Sequence, residues 1–276
     1  MPLGSLKTRP PSPTSLRRQH SLVAVVLVLV IALAFLLVPT TGHRATSTVD
    51  QCAFSEDVAA IGLRLPHVSR ALASGGPLTI IAFGSSSTYG TGASSPDKTY
   101  PSRLAQMLAL RFPGVRIEVL NRGVGGETAT TTAQRIETDV IAAHPDLVIW
   151  QVGTNDVLRD VDPLTAADIL RKGIARMQHA SIDVVVMDVQ YAPAILKHEH
   201  FRDMENMILA SARVMNVPVI HRFAMMREWV EEGRIPLSVM LAHDRLHMTD
   251  VSYDCLARQV GRGIIFALRR RTAAAN

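Results

Sequence analysis

Three hydroxyls in a row, Ser85, Ser86 and Ser87, follow Gly84 at the end of an apolar, β-branched run that begins at Leu78. That run reads as a buried strand, and open α/β sheets bind ligands in the crevice outside their strand carboxyl ends, so a serine there is placed to act as a nucleophile. Ser and Gly also build ordinary turns, and the stretch alone reads first as a turn. Three further pieces change that balance. Gly123, Gly125 and Gly126 precede Thr128, where a helical pattern begins; glycines there let backbone approach a ligand, and the helix start offers free amides. A structural turn fits that piece equally, and no Lys follows to make a phosphate loop. Gly153-Thr154-Asn155-Asp156 follows another apolar run, and an asparagine amide there either donates to a developing oxyanion or forms an Asx turn.

The fourth piece holds His243, Asp244 and His247 just before the last helical stretch. Asp and His three apart on one turn can face each other, so that Asp244 orients one imidazole nitrogen while the other faces a serine. A metal reading exists through His243 and His247 at four-residue spacing, but no Glu stands where a metalloprotease helix needs it. The group around His198 and His200 reads as a solvated helix start.

These pieces in this order resemble the SGNH branch of the GDSL esterase and lipase family over residues 78–260. The resemblance puts Ser86 on the nucleophile, Gly126 on the second-block glycine, Asn155 on the third-block asparagine, and Asp244 and His247 on the closing Asp-x-x-His. It implies acyl transfer by Ser86 and His247 with Asp244 in support. The implied oxyanion hole is the Ser86 and Gly126 N–H groups with the Asn155 side chain, and neither a metal nor an organic cofactor is implied. The chain departs from the family at Ser85, where the family usually carries Asp. A neutral hydrogen-bond network can replace that carboxylate, and Ser85→Asp is expected to be tolerated.

Those residues need strands to present them. Strand-like runs lie at 78–83, 115–120, 146–151, 183–189 and 217–220, with helical stretches at 52–73 and near 100–112, 128–143, 163–180, 199–215 and 250–270. Alternation of strands and helices predicts βαβ units with right-handed crossovers. The expected fold is therefore a three-layer α/β/α, flavodoxin-like SGNH hydrolase with a five-stranded parallel sheet in the order 2-1-3-4-5.

The amino terminus reads differently. Residues 1–20 hold Lys7, Arg9, Arg17 and Arg18 without an acid, and Leu22 to Val38 is wholly apolar. Residues 1–44 thus read as a basic cytoplasmic flank with a signal peptide or signal anchor, 45–77 as tether and first helix, and 78–276 as the hydrolase domain. Five of the 29 Lys and Arg, and none of the 24 acids, fall in residues 1–44, which leaves 24 charges of each sign in the remainder. The basic balance belongs to the targeting segment and gives no support for nucleic-acid binding. In an oxidising compartment the two cysteines, Cys52 and Cys255, suggest a disulfide.

The expectation is an exported or membrane-tethered serine esterase, periplasmic or extracellular. It removes small acyl groups such as acetyl from carbohydrate or other small esters, since aromatic residues are few and no lid is evident. The alternatives are a glycan O-acyltransferase using the same residues and a non-catalytic carbohydrate-binding protein on this fold.

Overall fold

The computed structural model describes residues 50–55 and 65–274, with side chains described to 266, and these belong to one compact unit, Val49–Asn276. The apolar run at 22–38 and its basic flank lie outside the described residues. Among the described residues no helix is long and apolar enough to cross a membrane.

Five parallel strands form one sheet, β1 (Leu78–Gly84), β2 (Ile117–Gly123), β3 (Leu147–Gln151), β4 (Asp183–Met187) and β5 (Val219–Ile220), ordered β2-β1-β3-β4-β5. This is the expected order. The three middle strands are almost wholly buried, as continuous apolar runs require when helices cover both faces, whereas β2 at the edge is half-buried. Strand register carries the chemistry with it. Gly84 pairs with Gly123 and Phe83 with Trp150, so the segments following β1, β2 and β3 emerge side by side at one end of the sheet.

Three elements differ from expectation. Of the stretch 52–73, Pro66–Ala73 is helix and 52–55 are a turn and an irregular segment, while 56–64 lie outside the described residues. Pro66 sets the start, and the Asp183 carboxylate accepts from the His67 and Val68 N–H groups at 2.9 and 3.0 Å, which satisfies two of the helix's free amides. The stretch 128–143 is not one helix. It is Ala129–Ala133, a π turn at Ile136–Val140 and a 3-10 turn at Ile141–Ala143. Thr130, Thr131 and Thr132 are β-branched, and the Thr132 hydroxyl bonds back to the Thr128 carbonyl at 2.8 Å, which competes with regular helix. Arg222–Glu231 is a helix that the sequence pattern hides, because it opens on a fully buried arginine.

The second strand also begins two residues later than its apolar pattern and runs on to Gly123. Cys52 and Cys255 are joined, which ties the segment before the first helix to the last helix, Asp250–Ala274.

Candidate active site

Ser85 follows β1 and caps a single helical turn, Ser86–Tyr89. The turn separates the three hydroxyls by burial: Ser85 and Ser87 are each 2% exposed, while Ser86 is only half-buried. Both buried hydroxyls are spent on structure. Ser85 Oγ donates to Gln151 Oε1 at 2.9 Å, and Ser87 Oγ donates to Gln190 Oε1 at 2.9 Å.

Ser86 Oγ instead faces His247 Nε2 at 2.8 Å. The other ring nitrogen, Nδ1, lies 2.5 Å from Asp244 Oδ2. An ionised carboxylate only accepts, so Nδ1 carries the proton and Nε2 is left to accept from the serine hydroxyl. Asp244 Oδ1 also accepts from the Leu246 and His247 N–H groups, each at 2.9 Å. Partial burial pushes the Asp244 carboxyl up, but the His247 ring and these two amides outweigh it and hold the group at about 2. It therefore stays ionised throughout the neutral range. His243, which the metal reading paired with His247, lines a neighbouring surface pocket with Arg245 instead. Both nitrogens of His247 are already engaged.

The end of β2 packs directly on the serine turn. A Cβ on Gly123 would sit 2.1 Å from the Tyr89 backbone nitrogen, so only glycine allows this approach. The loop then turns through Gly126 at φ +79°, in the left-handed region. Glu127 fixes that loop through a two-pronged ion pair with Arg135, Nε to Oε1 at 2.9 Å and Nη2 to Oε2 at 2.6 Å.

After β3, Gly153 enters the helix Thr154–Leu158. Asn155 Nδ2 donates to the Glu127 carbonyl at 2.9 Å, which draws the asparagine beside the Gly126 loop and leaves its second amide hydrogen free to donate. Asp156 accepts from the Ala129 N–H at 3.0 and 3.1 Å and from the Gly153 N–H at 3.2 Å. It binds the second and third motif loops together. Burial raises the Asp156 carboxyl, and these amides oppose the rise. Neither the Ser86 nor the Gly126 N–H has an acceptor among the described residues, so both can serve a ligand.

The structure thus gathers Ser86, His247 and Asp244 in hydrogen-bond contact and sets Gly126 and Asn155 on adjoining loops. Sequence reasoning missed the buried polar side chains beneath them. Gln190 accepts from Ser87, donates to the Leu246 carbonyl beside His247, and has its own N–H on Thr154 Oγ1 at 3.2 Å. One residue therefore ties together the serine turn and the histidine loop through its side chain and the asparagine helix through its backbone. Arg222, fully buried, donates through Nη2 to Thr154 Oγ1 at 2.9 Å and to the Asp188 carbonyl at 2.8 Å. Burial drives the Asp188 carboxyl well above the ordinary carboxylate range. Gln151, Asp188 and Gln190 had a sequence signal, a polar residue at the end of an apolar strand run.

Gln151 also answers the departure at Ser85. Its Oε1 accepts from Ser85 N at 2.9 Å, Ser85 Oγ at 2.9 Å and Thr88 Oγ1 at 3.3 Å, which makes it an acceptor with three donors around it. A carboxylate at position 85 would set acceptor against acceptor in a buried place, so the expectation that Ser85→Asp is tolerated is reversed. Ser85→Ala should cost about 0.5–1.5 kcal/mol of stability and at most about tenfold in rate, because Gln151 keeps two donors. Ser85→Asp should cost more on both counts. Melting temperatures and kcat/KM of the two variants decide it, and an aspartate variant as stable and active as wild type would show that Gln151 reorients freely.

Residues 51–270 match the non-GDSL lipase-like family. Among curated proteins, an acetylxylan esterase of Geobacillus stearothermophilus is 37% identical over 79 residues, which is 29% of this chain and 33% of that protein. An arylesterase of Vibrio mimicus is 30% identical over 97 residues, 35% of this chain and 48% of that one. The matched segments thus span a third to a half of these relatives. Among solved structures, a two-domain esterase active on acetylated mannans superposes with a TM-score of 0.62 at 23% identity, covering 76% of this chain and 56% of that one. That likeness is one of fold.

Proposed function

The chain belongs to the non-GDSL lipase-like family, and on that footing we propose that it is a carboxylic ester hydrolase working through Ser86, His247 and Asp244. The observation that carries this reading is the 2.8 Å contact between Ser86 Oγ and His247 Nε2, with Asp244 fixing the opposite nitrogen. Ser86 Oγ attacks the ester carbonyl carbon as its proton passes to His247 Nε2. Negative charge develops on the carbonyl oxygen, which takes hydrogen bonds from the Ser86 N–H, the Gly126 N–H and Asn155 Nδ2. Collapse of the tetrahedral species breaks the bond to the alcohol, which leaves with the proton held on His247. Water then attacks the acylated serine, His247 takes its proton, and the carboxylic acid departs as that proton returns to Ser86 Oγ.

The substrate class we propose is O-acetylated carbohydrate. The acetylxylan esterase and the mannan-active esterase named above support it. We also propose that the enzyme is exported, supported by the basic and apolar amino-terminal sequence and by a cysteine pair suited to an oxidising compartment.

A panel of 4-nitrophenyl esters from acetate to octanoate, run beside acetylated xylan and mannan, tests the substrate class. The expected result is kcat/KM falling as the acyl chain lengthens, with acetate released from the polysaccharides. Preference for octanoate with no acetate release would replace the carbohydrate reading by a lipolytic one.

A further inference from the structure

Residues 45–276 balance their charges overall, but the loops at the carboxyl end of the sheet do not. There the carboxylates are already engaged. Glu127 is paired with Arg135, Asp156 holds backbone amides, Asp160 lies 3.1 Å from His198, and Asp244 holds His247. Arg159, at the end of the helix Thr154–Leu158, has no ion-pair partner among the described residues and is exposed.

Arg159 stands nearest the chemistry. Its N–H bonds the Asn155 carbonyl at 3.0 Å, so the two residues sit one helical turn apart and share a face. Its guanidinium reaches across to the glycine loop: Nη2 lies 3.1 Å from the point where a Cβ on Gly126 would stand. The buried Asp156 carboxyl feels its charge, but no carboxylate forms an ion pair with it among the described residues, so a cation with five donors borders the Gly126 loop one helical turn from Asn155.

We propose that Arg159 is a specificity-determining residue that selects esters carrying a carboxylate close to the scissile bond. The inference rests on the esterase reading above and narrows it from neutral acetylated esters to anionic ones. Guanidinium and carboxylate meet in a planar, two-point contact, and unpaired cations around a site also raise the local concentration of anionic substrate. The carboxylate belongs either to the alcohol or to the acyl group, and two substrate pairs separate these sources. For the alcohol side the pair is 4-acetoxybenzoate and neutral 4-acetoxybenzamide. For the acyl side it is 4-nitrophenyl hemiglutarate and 4-nitrophenyl pentanoate.

In wild type at low salt, one charged member should exceed its neutral partner in kcat/KM by about tenfold, and the ratio should shrink as salt rises. Arg159→Gln should bring that ratio close to one, Arg159→Glu should invert it, and Arg159→Lys should keep most of it. Charged-to-neutral ratios at or below one in both wild-type pairs would overturn the proposal while leaving the esterase reading intact. An equal loss on both members of a pair in Arg159→Gln would also overturn it, since Arg159 would then serve the oxyanion or the fold. If wild type hydrolyses none of the four esters and Ser86 takes up no phosphonate, the esterase reading fails and this proposal falls with it.

Discussion

Ser86→Ala is expected to abolish ester hydrolysis and to leave the protein unlabelled by a fluorophosphonate, with a fall in kcat of about 10^4 to 10^6-fold. The two neighbouring hydroxyls cannot take over. Ser85 and Ser87 are each 2% exposed and already donate to Gln151 and Gln190. His247→Ala should be nearly as severe, because without an acceptor 2.8 Å away the Ser86 hydroxyl keeps its proton at neutral pH. The double variant should be little worse than either single one, as residues acting in one step are far from additive. Asp244→Asn should cost less than the ~10^4-fold seen when a buried orienting carboxylate is neutralised. The Asp244 side chain is 48% exposed, so water can take over part of the support for the imidazolium. Steady-state hydrolysis of 4-nitrophenyl acetate and intact mass after labelling read both effects. A Ser86→Ala protein that still turns over and still gains the label would place the nucleophile elsewhere.

Cys52→Ser or Cys255→Ser is expected to destabilise the fold by about 2–5 kcal/mol without touching the chemistry. The two cysteines are 203 residues apart in sequence, and a cross-link closing so long a loop removes much of the freedom of the unfolded chain. The segment it ties has other anchors. Trp229 Nε1 donates to the Ala53 carbonyl at 3.1 Å, Arg262 pairs with Asp50 at 2.7 Å, and Gln259 donates to the Cys52 carbonyl. These contacts hold the folded segment in place in the variants, so the loss should appear in the urea midpoint and not in kcat/KM. Two titratable thiols in denatured protein recovered from an oxidising compartment, or an unchanged midpoint in either variant, would show that the pair contributes no covalent staple.

Much of the site was legible before any coordinates because its parts are local. An apolar β-branched run announces a strand, and Gly, Ser, Asn and Asp at its end announce a turn whose side chains face the crevice. Ser86, Gly126 and Asn155 each sit within a few residues of such an end, whereas Asp244 and His247 lie in the loop before the last helix. The alternation of strands and helices then restricted the sheet to a doubly wound arrangement, and the β2-β1-β3-β4-β5 order follows the rule for right-handed crossovers. The burial of β1, β3 and β4 was equally readable from runs with no polar alternation.

What pattern reading left out depends on residues distant in sequence. Gln151 meets Ser85 across 66 positions and Gln190 meets Ser87 across 103, contacts that exist only because strand register places those ends side by side. Arg222 looks like a surface residue in the sequence, yet it is buried, with the Thr154 hydroxyl and the Asp188 carbonyl accepting from its Nη2. The same holds for function. The sequence by itself determined which residue types stand at the strand ends and hence the acyl-transfer chemistry open to the chain. The tertiary structure decided what occupies the hydroxyls on either side of Ser86, which acceptor stands opposite position 85, and where the Arg159 guanidinium borders the Gly126 loop. Periodicity along a chain encodes what each segment buries, whereas the partner of a polar group is set by how segments stack.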